Sequence, residues 1–174
     1  MIDPRIEKYS EEHSSNQSAV LNELFRETHL KVMHPRMLSG KQQGRFLSLL
    51  SHMIRPKTVL EIGTYTGYSG ICLAQGLQEG GKLHTIDINV ELEKMVRAFI
   101  AEASLTEKIN YYLGDAIEVI PTINELFDLV FIDANKKSYI DYYNSKLSFL
   151  KYTVTLITFY KFRSSNISKS LTSI

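Results

Sequence analysis

The chain of 174 residues carries a single cysteine, Cys72, so no disulfide can form within it. It has no excess of either charge: 20 Lys and Arg stand against 19 Asp and Glu, and this balance points to neither nucleic acid nor a membrane surface as partner. No apolar run approaches the roughly eighteen residues of a membrane helix, and no signal pattern opens the chain, so the expected location is the cytoplasm. The five histidines, His13, His29, His34, His52 and His84, lack paired metal-ligand spacing and read as exposed or as satisfied core residues. Acidic residues stop at Asp141, although five basic ones follow it.

What is present is ordinary for one globular domain with a real core, 44% hydrophobic residues, plus one distinctive stretch. From Thr58 the chain reads Thr-Val-Leu-Glu-Ile-Gly-Thr-Tyr-Thr-Gly-Tyr-Ser-Gly-Ile. Val59, Leu60 and Ile62 have the length and branching of a buried parallel strand. A glycine turn follows, then a helix that Thr66 can cap and whose apolar side starts at Ile71, Leu73 and Ala74; Cys72 on that side reads as core filling. Gly63 and Gly67 allow a tight turn close to a ligand. Strand, glycine turn and helix together make a nucleotide-type site.

The spacing narrows the ligand. A dinucleotide fingerprint requires Gly-x-Gly-x-x-Gly, but here Tyr65 stands where the second glycine belongs, and a pyrophosphate would be blocked. A nicotinamide-linked dehydrogenase is disfavoured on that ground. Glu61 would repel phosphate but accept a hydrogen bond from an ammonium group. Further on, Leu83-His84-Thr85-Ile86-Asp87 reads as a second strand ending in an acid, the usual partner of paired ribose hydroxyls. An amino-acid end and a ribose without phosphates describe S-adenosylmethionine. The plainer alternative is a structural strand–helix turn, with Asp87 capping the next helix.

Residues 1–56 read as an N-terminal helical cap, with helices over 3–13 and 16–32 and a third that Ser39 can cap and Arg55-Pro56 stops. Val20, Leu21, Leu24 and Phe25 form one apolar stripe of the second helix, and Phe46, Leu47, Leu49 and Leu50 carry that of the third. Residues 57–144 alternate strands (57–62, 82–88, 108–113, 127–133) with helices (67–78, 90–103, 115–120), which predicts a doubly wound, mostly parallel α/β sheet. Ligands of such sheets sit beyond the carboxyl ends of the strands, where Gly63, Asp87, Asp115 and Asp133 fall. Residues 145–174 form an atypical tail. Tyr111-Tyr112 and Tyr142-Tyr143 can stack on an aromatic substrate or serve as half-buried packing.

Phe127 to Ile132 is apolar except for Asp128, and it ends in Asp133-Ala134-Asn135-Lys136-Lys137. A carboxylate at a strand tip followed by lysine can hold a divalent cation and offer a general base; by spacing alone it is equally a solvated loop, and Lys137 reads as a solvated charge. Taken with Val59 to Ser69, Thr85-Ile86-Asp87 and Gly114-Asp115-Ala116, Phe131 to Lys136 resembles the cation-dependent O-methyltransferases of the caffeoyl-CoA and catechol type, over roughly residues 20–144. The resemblance implies the Rossmann-like fold of class I S-adenosylmethionine-dependent methyltransferases, with N-terminal helices and an incomplete C-terminal part. It implies that Glu61, Gly63, Tyr65 and Ser69 surround the methionine part of the cofactor, that Asp87 holds the ribose, and that Asp115 and Ala116 line the adenine pocket. Asp133 would be a metal ligand beside the cofactor and Lys136 the base that takes the phenolic proton. Met37-Leu38-Ser39-Gly40 resembles the segment that closes over cofactor and substrate, which adds Ser39 to the cofactor residues.

The implied activity is methyl transfer from S-adenosylmethionine to a hydroxyl of a small catechol-like phenol, assisted by Mg²⁺, Mn²⁺ or Ca²⁺, by enzymes that are often homodimers. From Ser145 onward the sequence departs from the family. The Asp-Asn pair supplying the second and third metal ligands is missing, as is the final strand hairpin, and a lone Asp133 would bind poorly a cation that takes about six oxygen ligands. The tail reads as a genuine strand over 153–160 followed by a polar segment, as a frameshifted or truncated C-terminus, or as a segment with another task. A catalytically impaired cofactor-binding remnant or interaction domain is therefore the alternative to an active enzyme.

Overall fold

In the computed structural model, residues 3–133 and the backbone of residues 150–158 are described. Five strands form one parallel sheet: β1 (Thr58–Ile62), β2 (Lys82–Asp87), β3 (Ile109–Leu113), β4 (Phe127–Ile132) and β5 (Leu150–Thr158), in the order β3-β2-β1-β4-β5. The order reverses between β1 and β4, which opens a crevice at the carboxyl ends of those two strands. Beyond the strand ends, Gly63 N–H donates to the Ile86 carbonyl at 2.9 Å, Asp133 N–H to Ile62 at 2.9 Å and Gly114 N–H to Asp87 at 2.8 Å. These bonds hold the tips of all four leading strands in one rim. Residues of the tail therefore do form a strand, over 150–158 rather than 153–160, and it pairs parallel to β4 with a register shift near Phe127.

Side chains alternate across each strand. Val59, Leu83, Leu129 and Phe131 face the layer of α2 (Ala19–Lys31), α3 (Gly40–Ile54), α4 (Tyr68–Ala74) and α5 (Glu93–Glu102), whereas Leu60, Ile62, Ile86, Val130 and Ile132 face Ala116, Ile120 and Ile123. Ala116 opens the short α6 (Ala116–Val119), and α1 (Pro4–Glu12) lies at the N-terminus. Cys72 is buried, and burial pushes its thiol up to about 12, so it is core filling.

Several local expectations are corrected. Helix α2 starts at Ala19, because Ser18 accepts a hydrogen bond from Leu21 N–H and caps it. Of its apolar stripe Leu21 and Leu24 are buried, but Phe25 is exposed and lies against the His29 ring. The residues of α3 that pack inward are Gly44, Leu47, Ser48 and Ser51, while Phe46 and Leu49 are exposed. Small residues win that face because α4 passes so close: a Cβ on Gly44 would lie 2.6 Å from Tyr68 Cε1 and 2.9 Å from Cys72 Sγ. Helix α4 stops at Ala74, where Gly76 runs against the last turn of α3 and a Cβ would meet backbone of Ser51 and His52 at 2.3 Å. The helix expected over 90–103 divides into a 3₁₀ turn, Val90–Leu92, and α5.

Candidate active site

The carboxyl ends of β1, β2, β3 and β4 surround a cavity of about 890 Å³, closed on one side by the segment from Lys31 to Ser39. Of the residues singled out in the sequence, Ser39, Gly63, Tyr65, Ser69, Asp87, Asp115, Ala116 and Asp133 line it. Lys136 lies outside the described residues, as do Tyr142 and Tyr143.

The floor of the cavity is the turn after β1. Gly63, Tyr65 and Gly67 all take positive φ, at 103°, 52° and 92°, and for Tyr65 this left-handed backbone is unusual. Asp87 fixes it. One carboxylate oxygen accepts from Tyr65 N–H at 2.6 Å and the other from Asn89 N–H at 2.9 Å, so the acid is oriented while lone pairs on both oxygens remain for a ligand. Gly67, not Thr66, is the residue that precedes α4, and its side-chain-free position offers no cap. Thr66 is turned inward, where it accepts from the Thr28 hydroxyl at 3.2 Å. Ser39 does stand at the cap position of α3 but makes no capping bond; Gln43 donates to its hydroxyl at 3.4 Å.

Glu61 lies beneath this floor. Alternation along β1 turns it to the α4 side with Val59, and it is fully buried. Its partner in the register is Thr85, whose hydroxyl donates to Glu61 Oε2 at 2.6 Å and lies 2.5 Å from Thr64 Oγ1. Gly70 makes room, since a Cβ there would lie 2.8 Å from Oε2. Burial pushes the Glu61 carboxyl up to about 7; the Ser69 and Thr85 hydroxyls pull it back, and the Asp133 and Asp87 charges add to the rise. Glu61 Oε1 is buried without a well-formed hydrogen bond among the described residues, which leaves an acceptor for a cationic ligand above it.

At the opposite end, Asp115 caps α6 by accepting from Ile117 N–H at 2.9 Å. Beside it Ala116 is buried, and the two residues line that end of the cavity with one carboxylate and one apolar methyl group. Asp133 stands at the tip of β4 on the cavity rim. Among the described residues no group of three or more His, Cys, Asp or Glu could hold a metal ion, so they do not by themselves constitute the cation site that the resemblance implies. The cavity does offer an oriented acid, Asp87, at one strand end, while the second acid, Glu61, is buried beneath the glycine turn and is not part of the cavity lining.

The O-methyltransferase profile matches residues 11–161. The chain belongs to the O-methyltransferase family. A catechol O-methyltransferase of Niastella koreensis is 34% identical over 113 residues, which cover 63% of this chain and 51% of that protein. A caffeoyl-CoA O-methyltransferase of Zinnia elegans is 33% identical over 131 residues, covering 71% and 54%. The chain thus spans about half the length of the curated relatives it matches. The O-methyltransferase TomG of Streptomyces achromogenes, solved with S-adenosylmethionine, superposes with a TM-score of 0.83 at 27% identity over 91% of this chain and 74% of that one. An O-methyltransferase from Bacillus cereus, solved with S-adenosylhomocysteine, gives 0.78 at 28% identity over 84% and 68%. The Rossmann-like fold of class I methyltransferases is therefore the fold of this chain.

Three contributions were not read from the sequence. Thr85 stood there only as part of the run ending in Asp87, and its register opposite Glu61 comes from the sheet. Gly70 gained its reason only from the buried acid beneath it. The bond from the Tyr65 hydroxyl to the His34 carbonyl, 2.9 Å, had no local signal. The tyrosines of β3 are packing residues: Tyr111 is buried with Arg97 over its ring at 5.1 Å, and Tyr112 bonds buried His84 at 3.0 Å. Among the described residues no helix is long and apolar enough to cross a membrane.

Proposed function

We propose that the chain binds S-adenosylmethionine in this cavity and transfers its methyl group to a hydroxyl of a small catechol-like phenol. The observation that carries the reading is the pair of acids around one glycine turn: Asp87 oriented toward the cavity by two backbone amides, and Glu61 buried beneath it with an open acceptor. In this reading Asp87 accepts the ribose hydroxyls through its remaining lone pairs. Gly63, Tyr65 and Ser69 enclose the methionine end, Glu61 supplies negative charge below it, and Asp115 and Ala116 bound the adenine. Ser39, with Met37 and Leu38, covers the ligand from the opposite side. Bound there, the cofactor supplies an electrophilic methyl carbon. The work of the protein is then to hold the acceptor oxygen about 3 Å from that carbon and to exclude water. Asp133 at the rim and Lys136 are the proposed groups for the substrate hydroxyl, Lys136 as its base. Divalent cation assistance is part of the family resemblance, but no step above depends on it.

A second reading, a cofactor-binding domain without turnover, is favoured by the lack, among the described residues, of a group of three or more His, Cys, Asp or Glu that could hold a metal ion. Incubating the chain with S-adenosylmethionine and a catechol, with and without Mg²⁺, separates the two. Methylated catechol supports the enzyme; cofactor binding without product over a full pH range supports the binding domain.

A further inference from the structure

The cavity is roofed by a short strap, residues 33–39, that contributes little to the core. Its 3₁₀ turn (Pro35–Met37) has no buried residue, and Met33 and Met37 are 87% and 63% exposed. Only its flanks, Val32 and Leu38, pack partly against the hydrophobic cluster. The strap nevertheless carries five residues of the cavity wall, Met33, His34, Met37, Leu38 and Ser39.

Gln43 ties its end at Ser39, and the Tyr65 side chain ties its turn. The Tyr65 hydroxyl donates to the His34 carbonyl at 2.9 Å, and the same carbonyl accepts Met37 N–H at 2.9 Å to close the turn. The phenol therefore holds the very atom around which the strap folds. Tyr65 can reach it because its backbone is left-handed, φ 52°, and that backbone is fixed by the bond to Asp87. A single residue thus links the proposed ribose acid, the glycine turn and the roof.

We infer that Tyr65 is the latch of the 33–39 strap, a positioning residue whose hydroxyl keeps the roof closed and thereby sets how long the cofactor remains bound. The residence half of this inference rests on the proposed cofactor site; the closure half does not. An exposed strap held by few contacts opens locally, and one hydrogen bond changes such an opening equilibrium by about 2- to 10-fold.

The test compares the full chain with Tyr65→Phe, which removes only the hydroxyl, and with Tyr112→Phe, which removes a hydroxyl that bonds His84 and does not touch the strap. Limited trypsin digestion without ligand should cut after Arg36 about 2- to 10-fold faster in Tyr65→Phe, with Tyr112→Phe at the wild-type rate. Stopped-flow displacement should show S-adenosylhomocysteine leaving Tyr65→Phe faster by a similar factor. Cleavage of Tyr65→Phe at the wild-type rate overturns the latch. Faster cleavage with unchanged ligand release overturns the residence half. If the wild-type chain binds no S-adenosylhomocysteine, the cofactor reading and the residence half fail together, while the digestion still decides closure.

Discussion

The Tyr65 N–H donates to the Asp87 carboxylate at 2.6 Å, and this bond joins the turn after β1 to the end of β2. It explains why a bulky residue can hold the left-handed conformation that a dinucleotide fingerprint assigns to glycine. An acid that orients a loop while keeping acceptor capacity toward a cavity serves structure and ligand at once.

Asp87→Asn keeps the size of the side chain but turns one acceptor into a donor that faces a backbone N–H. Affinity for S-adenosylhomocysteine should fall by about 10- to 100-fold, the range for losing hydrogen bonds to a charged group. Titration calorimetry measures it. Unchanged affinity would remove Asp87 from the ligand.

Glu61 bears on pH. Its folded pKa, about 7, lies above the ordinary value of 4.5, so the folded state holds the proton longer than the unfolded one. Stability from this group therefore declines as pH rises from 4.5 to about 7 and is level above that, by on the order of 3 kcal/mol at most. Glu61→Gln should melt higher than wild type at pH 8, with the difference shrinking toward pH 5, and should bind the cationic cofactor more weakly. A Tm difference independent of pH would show that Glu61 does not titrate in this way.

His84 has the opposite sign. Burial lowers its pKa against the pull of Glu125, 3.7 Å away, and Tyr112 bonds its Nδ1 at 3.0 Å. The stability it contributes is present above the unfolded value of 6.5 and is lost as pH falls through the lower folded value. His84→Asn, which can keep the Tyr112 bond, should flatten the fall in Tm below pH 6.5. A wild-type slope in that variant would exclude His84 as its source.

Two glycines test the seam between α3 and α4. Gly44→Ala and Gly76→Ala should each destabilise by about 1–3 kcal/mol, as overpacking does, with Gly76→Ala the worse because its Cβ meets backbone rather than a side chain. Thermal melts rank them. Wild-type stability in both would mean that the helices separate freely there.

Much of this was legible in the sequence because the relevant signals are local. Short apolar strands alternating with helices announced the parallel sheet, and acids or glycines at strand ends placed Gly63, Asp87, Asp115 and Asp133 on one rim. Errors arose where contacts over long sequence separations decide the outcome. Phe46 and Leu49 looked like a buried stripe, yet Gly44, Ser48 and Ser51 allow a closer approach to α4 than large side chains would. Thr66 has the chemistry of a cap, but Thr28 in α2 draws it inward. The Tyr65–His34 bond spans thirty-one positions and leaves no periodicity to detect.

The most direct measurement is calorimetric titration of S-adenosylhomocysteine into the folded full chain, with Asp87→Asn alongside. The account predicts saturable one-to-one binding to the wild type and a loss of about 10-fold or more in the variant. A folded wild-type chain that takes up no S-adenosylhomocysteine, or a variant that binds it equally well, would contradict the assignment of this cavity to the cofactor.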